Sequence, residues 1–295
     1  MYTEALTSRR RDTRLASARL MPSGPPLALR PDGCIRGAVA VWAAAMANDF
    51  ADEVVVVTGA SAGIGAALAE ELARRGARLA LLARRRARLE EVARRSGGAE
   101  AIAADVTRRD EVLRARDAVL ARFGRIDAWV NNAGRGITRP VEALADDDLD
   151  QMMRDNLKSA LYGMQAVLTH MKERGSGTIV NVSSMLGRVP FSSLRSAYSA
   201  SKAALTSLTE SLRFELAKDH PGIRLVLVFP GVVATDFGNN ALFGGPDSRT
   251  LPGAQPVGEV ARAIADAIRG GPLDVYTRPD GLERALGHLR AAAGA

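Results

Sequence analysis

From Glu53 onward the chain alternates two hydrophobic patterns. One is a short continuous apolar run, often β-branched, such as Val54-Val55-Val56-Val57. The other is a longer segment with apolar residues three or four apart, such as Leu68 and Leu72. A strand covered on both faces needs apolar residues at every position, and a helix covered on one face needs them once per turn. The runs predict strands over 54–57, 78–83, 99–103, 126–130, 178–182, 223–229 and 273–276. The periodic segments predict helices over 66–75, 108–122, 149–172, 197–218 and 282–293. Repeated strand-helix units imply an α/β fold, a doubly wound parallel sheet of Rossmann type in a single domain over residues 51–295. Ligands of such sheets gather at the C-terminal ends of the strands.

Residues 1–50 break the pattern. They hold Arg9-Arg10-Arg11, a Pro/Gly-rich stretch over 22–33 and no period, and are expected to be a disordered N-terminal extension. The apolar run over 37–47 is shorter than the roughly 20 residues a bilayer-spanning helix needs. It faintly imitates a signal peptide. Translation starting at Met46 accounts better for an upstream segment without pattern, and a cytoplasmic location is expected.

Chemistry concentrates at the strand ends. After 54–57 comes Thr58-Gly59-Ala60-Ser61-Ala62-Gly63-Ile64-Gly65, then a helix. Glycines at that turn let backbone approach a pyrophosphate, and the helix N-terminus offers free N–H groups. After 78–83 comes Ala83, then Arg84-Arg85-Arg86, where an NAD site would place a carboxylate on the ribose 2′-hydroxyl. Three cations without an acid favour NADP over NAD. Asp105-Val106, Asn131-Asn132-Ala133-Gly134, Ser183-Ser184 and Pro230-Gly231 end later strands. Tyr198 and Lys202, four apart, share a helix face, and an ammonium beside a phenol favours phenolate.

Composition adds exclusions. The 295 residues are 47% hydrophobic, enough for a sizeable core. Cys34 is the single cysteine, so no disulfide forms within the chain, and three dispersed histidines offer no metal-ligand spacing. The net charge of +7 could suggest nucleic acid, but the arginines are interleaved with acids along helices and aromatics are only 4%. No nucleic-acid partner and no integral membrane segment are expected.

With 58–65, 131–134, Asn156, Ser184 and 198–202 in order, the chain resembles the short-chain dehydrogenase/reductase family, in its single-domain branch, over roughly 54–280. The resemblance implies hydride transfer between a nicotinamide cofactor and a secondary alcohol or carbonyl compound. It implies that Gly59, Ser61, Gly63, Ile64 and Gly65 hold the pyrophosphate and that Asp105 and Val106 frame the adenine. Asn132, Ala133 and Gly134 would floor the cleft, and Pro230, Gly231, Val233 and Thr235 would touch the nicotinamide. Tyr198 would be the acid/base, with Lys202 lowering its pKa and binding the ribose. Ser184 would hold the reacting oxygen, and Asn156 a relay water. Arg84 would meet the 2′-phosphate, with Arg85 able to add to it or replace it.

The Ser184–Tyr198 spacing is about one residue longer than the family pattern, which keeps Ser183 as a competitor and places an insertion over 190–196. Residues 232–256 match the family's substrate lid, whose apolar points Phe237, Leu242, Phe243 and Leu251 suit a hydrophobic substrate. The segment 282–293 is expected to pack on the body, and a homodimer or homotetramer is implied. A catalytically silent nucleotide-binding regulator is the alternative, against which an intact Ser184, Tyr198 and Lys202 argue.

Overall fold

The computed structural model describes residues 48–294. Seven strands form one sheet in the order β3-β2-β1-β4-β5-β6-β7. They are β1 (Val54–Thr58), β2 (Arg78–Ala83), β3 (Glu100–Ala103), β4 (Ala128–Asn131), β5 (Gly177–Val182), β6 (Ile223–Phe229) and β7 (Asp274–Tyr276). Every neighbouring pair is parallel. The helices are α1 (Gly63–Arg74), α2 (Arg86–Arg95), α3 (Arg109–Phe123), α4 (Asp146–Met153), α5 (Ser159–Arg174), α6 (Ser196–Leu216), α7 (Val257–Arg269) and α8 (Gly281–Ala292).

The continuous valine run is explained by the two layers. Val55 and Val57 pack with Leu68 and Leu72 of α1 and Val260 and Ile264 of α7. Val54 and Val56 face the other side, with Val112 and Val119 of α3 and Met164 and Val167 of α5. Truncating any one of these fully buried leucines to alanine would cost about 2–5 kcal/mol.

Three expectations are corrected. Phe50, assigned to the extension, is fully buried in the first layer, with Arg75 and Arg269 over its ring at 4.9 and 5.2 Å. Arg75 also pairs with Asp49, so the folded body begins before residue 51. An aromatic that caps a layer must be inside, whatever the composition around it. The rest of the extension lies outside the described residues. The long helix predicted over 149–172 begins earlier and is interrupted by a π turn, Arg154–Lys158, between α4 and α5. Lastly, β4 begins two residues later than predicted and takes in Asn131.

Asn131 starts a buried polar chain beneath the strand ends. Trp129 Nε1 donates to Asn131 Oδ1, Asn131 Nδ2 to Asn181 Oδ1, and Asn181 Nδ2 to Thr209 Oγ1, each at 2.8 Å. Buried polar groups with all partners present fix strand β4, strand β5 and helix α6 in one register. Gly163 makes room for it, since a Cβ there would stand 2.1 Å from Asn131 Oδ1.

In α8 only Gly281 and Ala285 are buried, while Leu282 and Leu289 stay exposed, so this helix packs through a narrow stripe. Among the described residues, no helix is long and apolar enough to cross a membrane.

Candidate active site

A cavity of ≈ 800 Å³ runs along the C-terminal ends of the strands and is bordered by every residue named for the site except Gly65 and Asn156. That volume suits a bound organic molecule of cofactor or drug size.

At one end is the glycine turn. Gly59 is left-handed, with φ +66°, and a Cβ on it would stand 2.8 Å from Ala133 Cα. Gly65 lies in the first turn of α1, where a Cβ would meet the Gly59 carbonyl at 2.5 Å. Only glycine permits this approach. Thr58, passed over in the sequence, ties the turn to β4. Its Oγ1 accepts from the N–H groups of Asn132 and Ala133 at 3.0 and 3.1 Å, and donates to the Val130 carbonyl. Asn132 Nδ2 donates to the Thr58 carbonyl at 3.0 Å.

Beyond β2, Arg84 and Arg85 both line the cavity. Arg85 is the one that reaches across, donating from Nη2 and Nε to Ser61 Oγ at 3.1 and 3.3 Å. Asp105 sits at the end of β3 and accepts from Thr107 N and Oγ1. Val106 lines the cavity beside it, as do Gly231, Val233 and Thr235 on the opposite wall.

The middle of the cavity carries the polar cluster. Tyr198 is buried near the start of α6, and burial pushes its phenol up to about 12, while the nearby Ser184 hydroxyl and the charge of Arg195 pull the other way. Ser184 Oγ accepts from Leu186 N at 3.1 Å, which fixes the hydroxyl at the mouth of a short 3₁₀ turn. Ser183 is turned away. Its hydroxyl donates to the Lys202 carbonyl and bonds Thr206 inside the protein, so Ser184 is the serine beside the phenol. Lys202 is fully encased, and burial lowers its ammonium to about 8. Its Nζ donates to the Val182 carbonyl at 2.8 Å and lies 5.9 Å from the Tyr198 ring centre. Burial outweighs the opposing charge of Arg195, and the net shift of Tyr198 is upward rather than downward.

Asn156 sits in the π turn, below Gly134. It binds both main-chain groups of Arg135 and donates from Nδ2 to Ser201 Oγ at 3.1 Å. A Cβ on Gly134 would stand 2.7 Å from Asn156 Oδ1 and 3.4 Å from Lys202 Nζ, so the glycine lets both groups converge. π turns often mark functional positions because they reorient one side chain within a helix.

The far end is built from loops. Residues 232–256 contain no regular element, but the bridge Ile137–Leu242 holds them to the body and the bridge Val233–Gln255 closes the segment's two ends on each other. Of the four apolar points, Phe237 and Leu251 line the cavity. Leu242 pins the segment against Ile137, and Phe243 lies on the surface under Arg139. Phe237 and Tyr198 have ring centres 5.6 Å apart. Residues 190–196 form part of the rim, with Phe191 and Leu194 on the cavity. Arg135 and Arg195, which sequence reasoning missed, line this end too. Neither stands in a motif; loops distant in sequence bring them together. Among the described residues, no cluster of His, Cys, Asp and Glu could hold a metal ion.

Comparison with known proteins agrees with this geometry. The family model described as short chain dehydrogenase matches residues 53–242. An uncharacterized oxidoreductase of Staphylococcus saprophyticus is 39% identical over 192 residues, which are 64% of this chain and 77% of the relative. A short-chain dehydrogenase from Sphingobium yanoikuyae, solved in complex with NADPH, is 31% identical with a TM-score of 0.70, over 82% of this chain and 94% of that one. A short-chain dehydrogenase/reductase from Burkholderia phymatum, solved with NAD, is 25% identical with a TM-score of 0.74, over 83% of this chain and 96% of that one. The chain belongs to the short-chain dehydrogenase/reductase family and is an NAD(P)-dependent oxidoreductase.

Proposed function

We propose that the protein transfers hydride between NADP(H) and a secondary alcohol or ketone with an apolar body. The observation that carries this reading is that Ser184, Tyr198 and Lys202 together line one cavity that begins at the glycine turn. The turn fits a dinucleotide. The close approaches at Gly59 and Gly65 leave backbone, not side chain, facing the space at the start of α1. Gly63, Ile64 and Ser61 would hold the pyrophosphate there, and Asp105 with Val106 would frame the adenine.

When bound, the nicotinamide supplies or takes the hydride. The chain's own residues handle the proton. Ser184 donates to the substrate oxygen and orients it towards Tyr198. Tyr198 would give its proton to that oxygen as it becomes an alkoxide, and burial keeps the phenol in its proton-bearing form at neutral pH. Lys202, encased beside Gly134, would bind the ribose and re-supply the proton. Asn156 keeps residues 134–135 in place for that route, and Gly231, Val233 and Thr235 shape the nicotinamide wall. Phe237, Leu251, Phe191 and Leu194 give an apolar lining to the substrate end.

The preference for NADP(H) rests on Ala83, which is neutral, and on Arg84 and Arg85 beside it. A guanidinium binds phosphate through its planar fork. Arg85, already on Ser61, supports a 2′-phosphate seat shared by Ser61, Arg84 and Arg85. Phe214 of α6, 83% exposed, supports a second copy packing on that helix, which sedimentation would test. The activity test is consumption of NADPH or NADH with a panel of ketones, and the reverse with alcohols. Steady turnover supports the reading. Tight nucleotide binding with no turnover on any member would favour a regulatory binder.

A further inference from the structure

At the substrate end, Arg195 is a half-buried cation that meets no carboxylate among the described residues. The one titratable group that acts on it is Tyr198. Its single hydrogen bond is long, from Nη1 to the Ile137 carbonyl at 3.2 Å. Its guanidinium is wedged between two glycines of different loops. A Cβ on Gly136 would stand 2.8 Å from Nη1, and one on Gly245 would stand 2.9 Å from Nη2. The same Gly136 position lies 3.0 Å from Phe237 Cε1, and that ring is the neighbour of the Tyr198 ring. The guanidinium therefore sits one aromatic ring away from the proton donor, on the cavity wall. Arg135 lines the same end and binds only a backbone oxygen, the Asn240 carbonyl at 3.2 Å. The cavity also has three carboxylates, of which Asp105 accepts from Thr107. Asp236 is paired with Arg249, and Asp155 accepts from Gln151.

A desolvated guanidinium without an anion is costly unless a partner arrives, since buried charges are stable when paired. Here the residue lines the ligand space. We propose that Arg195 is the anchor for a carboxylate on the substrate, so that the site takes an oxo acid or hydroxy acid with an apolar body. Arg135 adds positive potential at the same end. The carboxylate docks on Arg195, the apolar body lies along Phe237 and Leu251, and the carbonyl reaches Ser184 and Tyr198. The inference rests on the proposed oxidoreductase reading for its chemistry, but the anion site is separable from it. The competing role for Arg195 is a strut that merely ties residue 137 to the lid.

The first arm of the test is binding without turnover. Protein saturated with NADP⁺ is titrated with octanoate and with octanamide, and Tm is followed. Octanoate should bind, and octanamide should bind at least about 10-fold more weakly, the span of one charged hydrogen bond. Arg195→Gln should weaken octanoate by a similar factor, and Arg195→Lys should recover part of it. Equal binding of acid and amide by the natural protein, or no binding of octanoate, overturns the proposal without any variant. The second arm compares straight-chain oxo acids with their methyl esters, with NADPH. The natural protein should favour the acids, and Arg195→Gln should cut the acid-to-ester ratio of kcat/KM at least about 10-fold. Equal losses for acid and ester would show a strut and overturn it. Turnover of esters in preference to acids overturns it and leaves the oxidoreductase reading standing. Octanoate binding through Arg195 with no carbonyl turned over supports the anion site and removes the oxidoreductase reading.

Discussion

Asn156 grips Arg135 by both of its main-chain groups. Oδ1 accepts from the Arg135 N–H and Nδ2 donates to the Arg135 carbonyl, each at 2.9 Å. A side-chain amide carries both an acceptor and a donor, so it can pair with the N–H and the C=O of one residue. Asn156→Ala should leave both backbone groups unpaired, each at a cost of about 1–3 kcal/mol. Asn156→Asp keeps the acceptor and loses the donor, and should fall between. The midpoint of urea unfolding measures this; an unchanged midpoint in Asn156→Ala would remove Asn156 from the account of the loop.

The N-terminal boundary gives a second prediction. A chain starting at Met46 retains Asp49, which pairs with Arg75, and the fully buried Phe50. Such a chain should keep the stability and turnover of the full one. Phe50→Ala should instead lose about 3–5 kcal/mol, the usual range for an emptied aromatic site. Thermal unfolding of the three proteins separates the cases, and a harmless Phe50→Ala would contradict the burial argument.

Much of this was legible in the sequence, and the misses share a cause. The seven strands and most of the helices follow from period alone, because burial on two faces or one leaves different spacings, whereas α2 (Arg86–Arg95) and α7 (Val257–Arg269) were not read from it. The glycine turn and the pair Tyr198 and Lys202 were legible because their spacing is local. Phe50 was not, since a single aromatic in a patternless stretch carries no period. The π turn at Arg154–Lys158 adds one residue to a turn, which the apolar spacing of 149–172 tolerates without a signal. Arg195 could be placed in the rim segment 190–196, just before α6, but not against its partners, because its surroundings come from residues 136–137 and 237–245.

Cofactor choice is tested by charge changes beside β2. Ala83→Asp with Arg84→Ala should reverse a preference for NADP(H), by repelling the 2′-phosphate and offering a carboxylate to the free hydroxyl. Arg85→Ala, which also releases Ser61, should reduce the preference by about 10-fold or more. The readout is the ratio of kcat/KM for the two cofactors. A natural preference for NAD(H) would contradict the reading of all three residues.

The two buried titratable groups predict a stability profile in the protein without added nucleotide. Folding lowers Lys202 from 10.5 to about 8, so between those values the unfolded chain binds more protons and stability rises with pH. Folding raises Tyr198 from 10.0 to about 12, so there the folded chain binds more protons and stability falls as pH climbs. Stability should therefore rise from pH 8 towards 10 and fall beyond it. Lys202→Met should flatten the rise, and Tyr198→Phe the fall. Guanidinium midpoints across this range, compared variant by variant, would contradict the burial of Lys202 if the rise survives its removal.

The central claim is that Tyr198 carries the proton. Tyr198→Phe keeps the ring against Phe237 and deletes only the hydroxyl. The most direct measurement is single-turnover oxidation of bound NADPH by a ketone in the natural protein and in this variant, with NADPH affinity measured alongside. The account predicts affinity near that of the natural protein and a rate lower by about 10²-fold or more. A rate close to the natural one would contradict it.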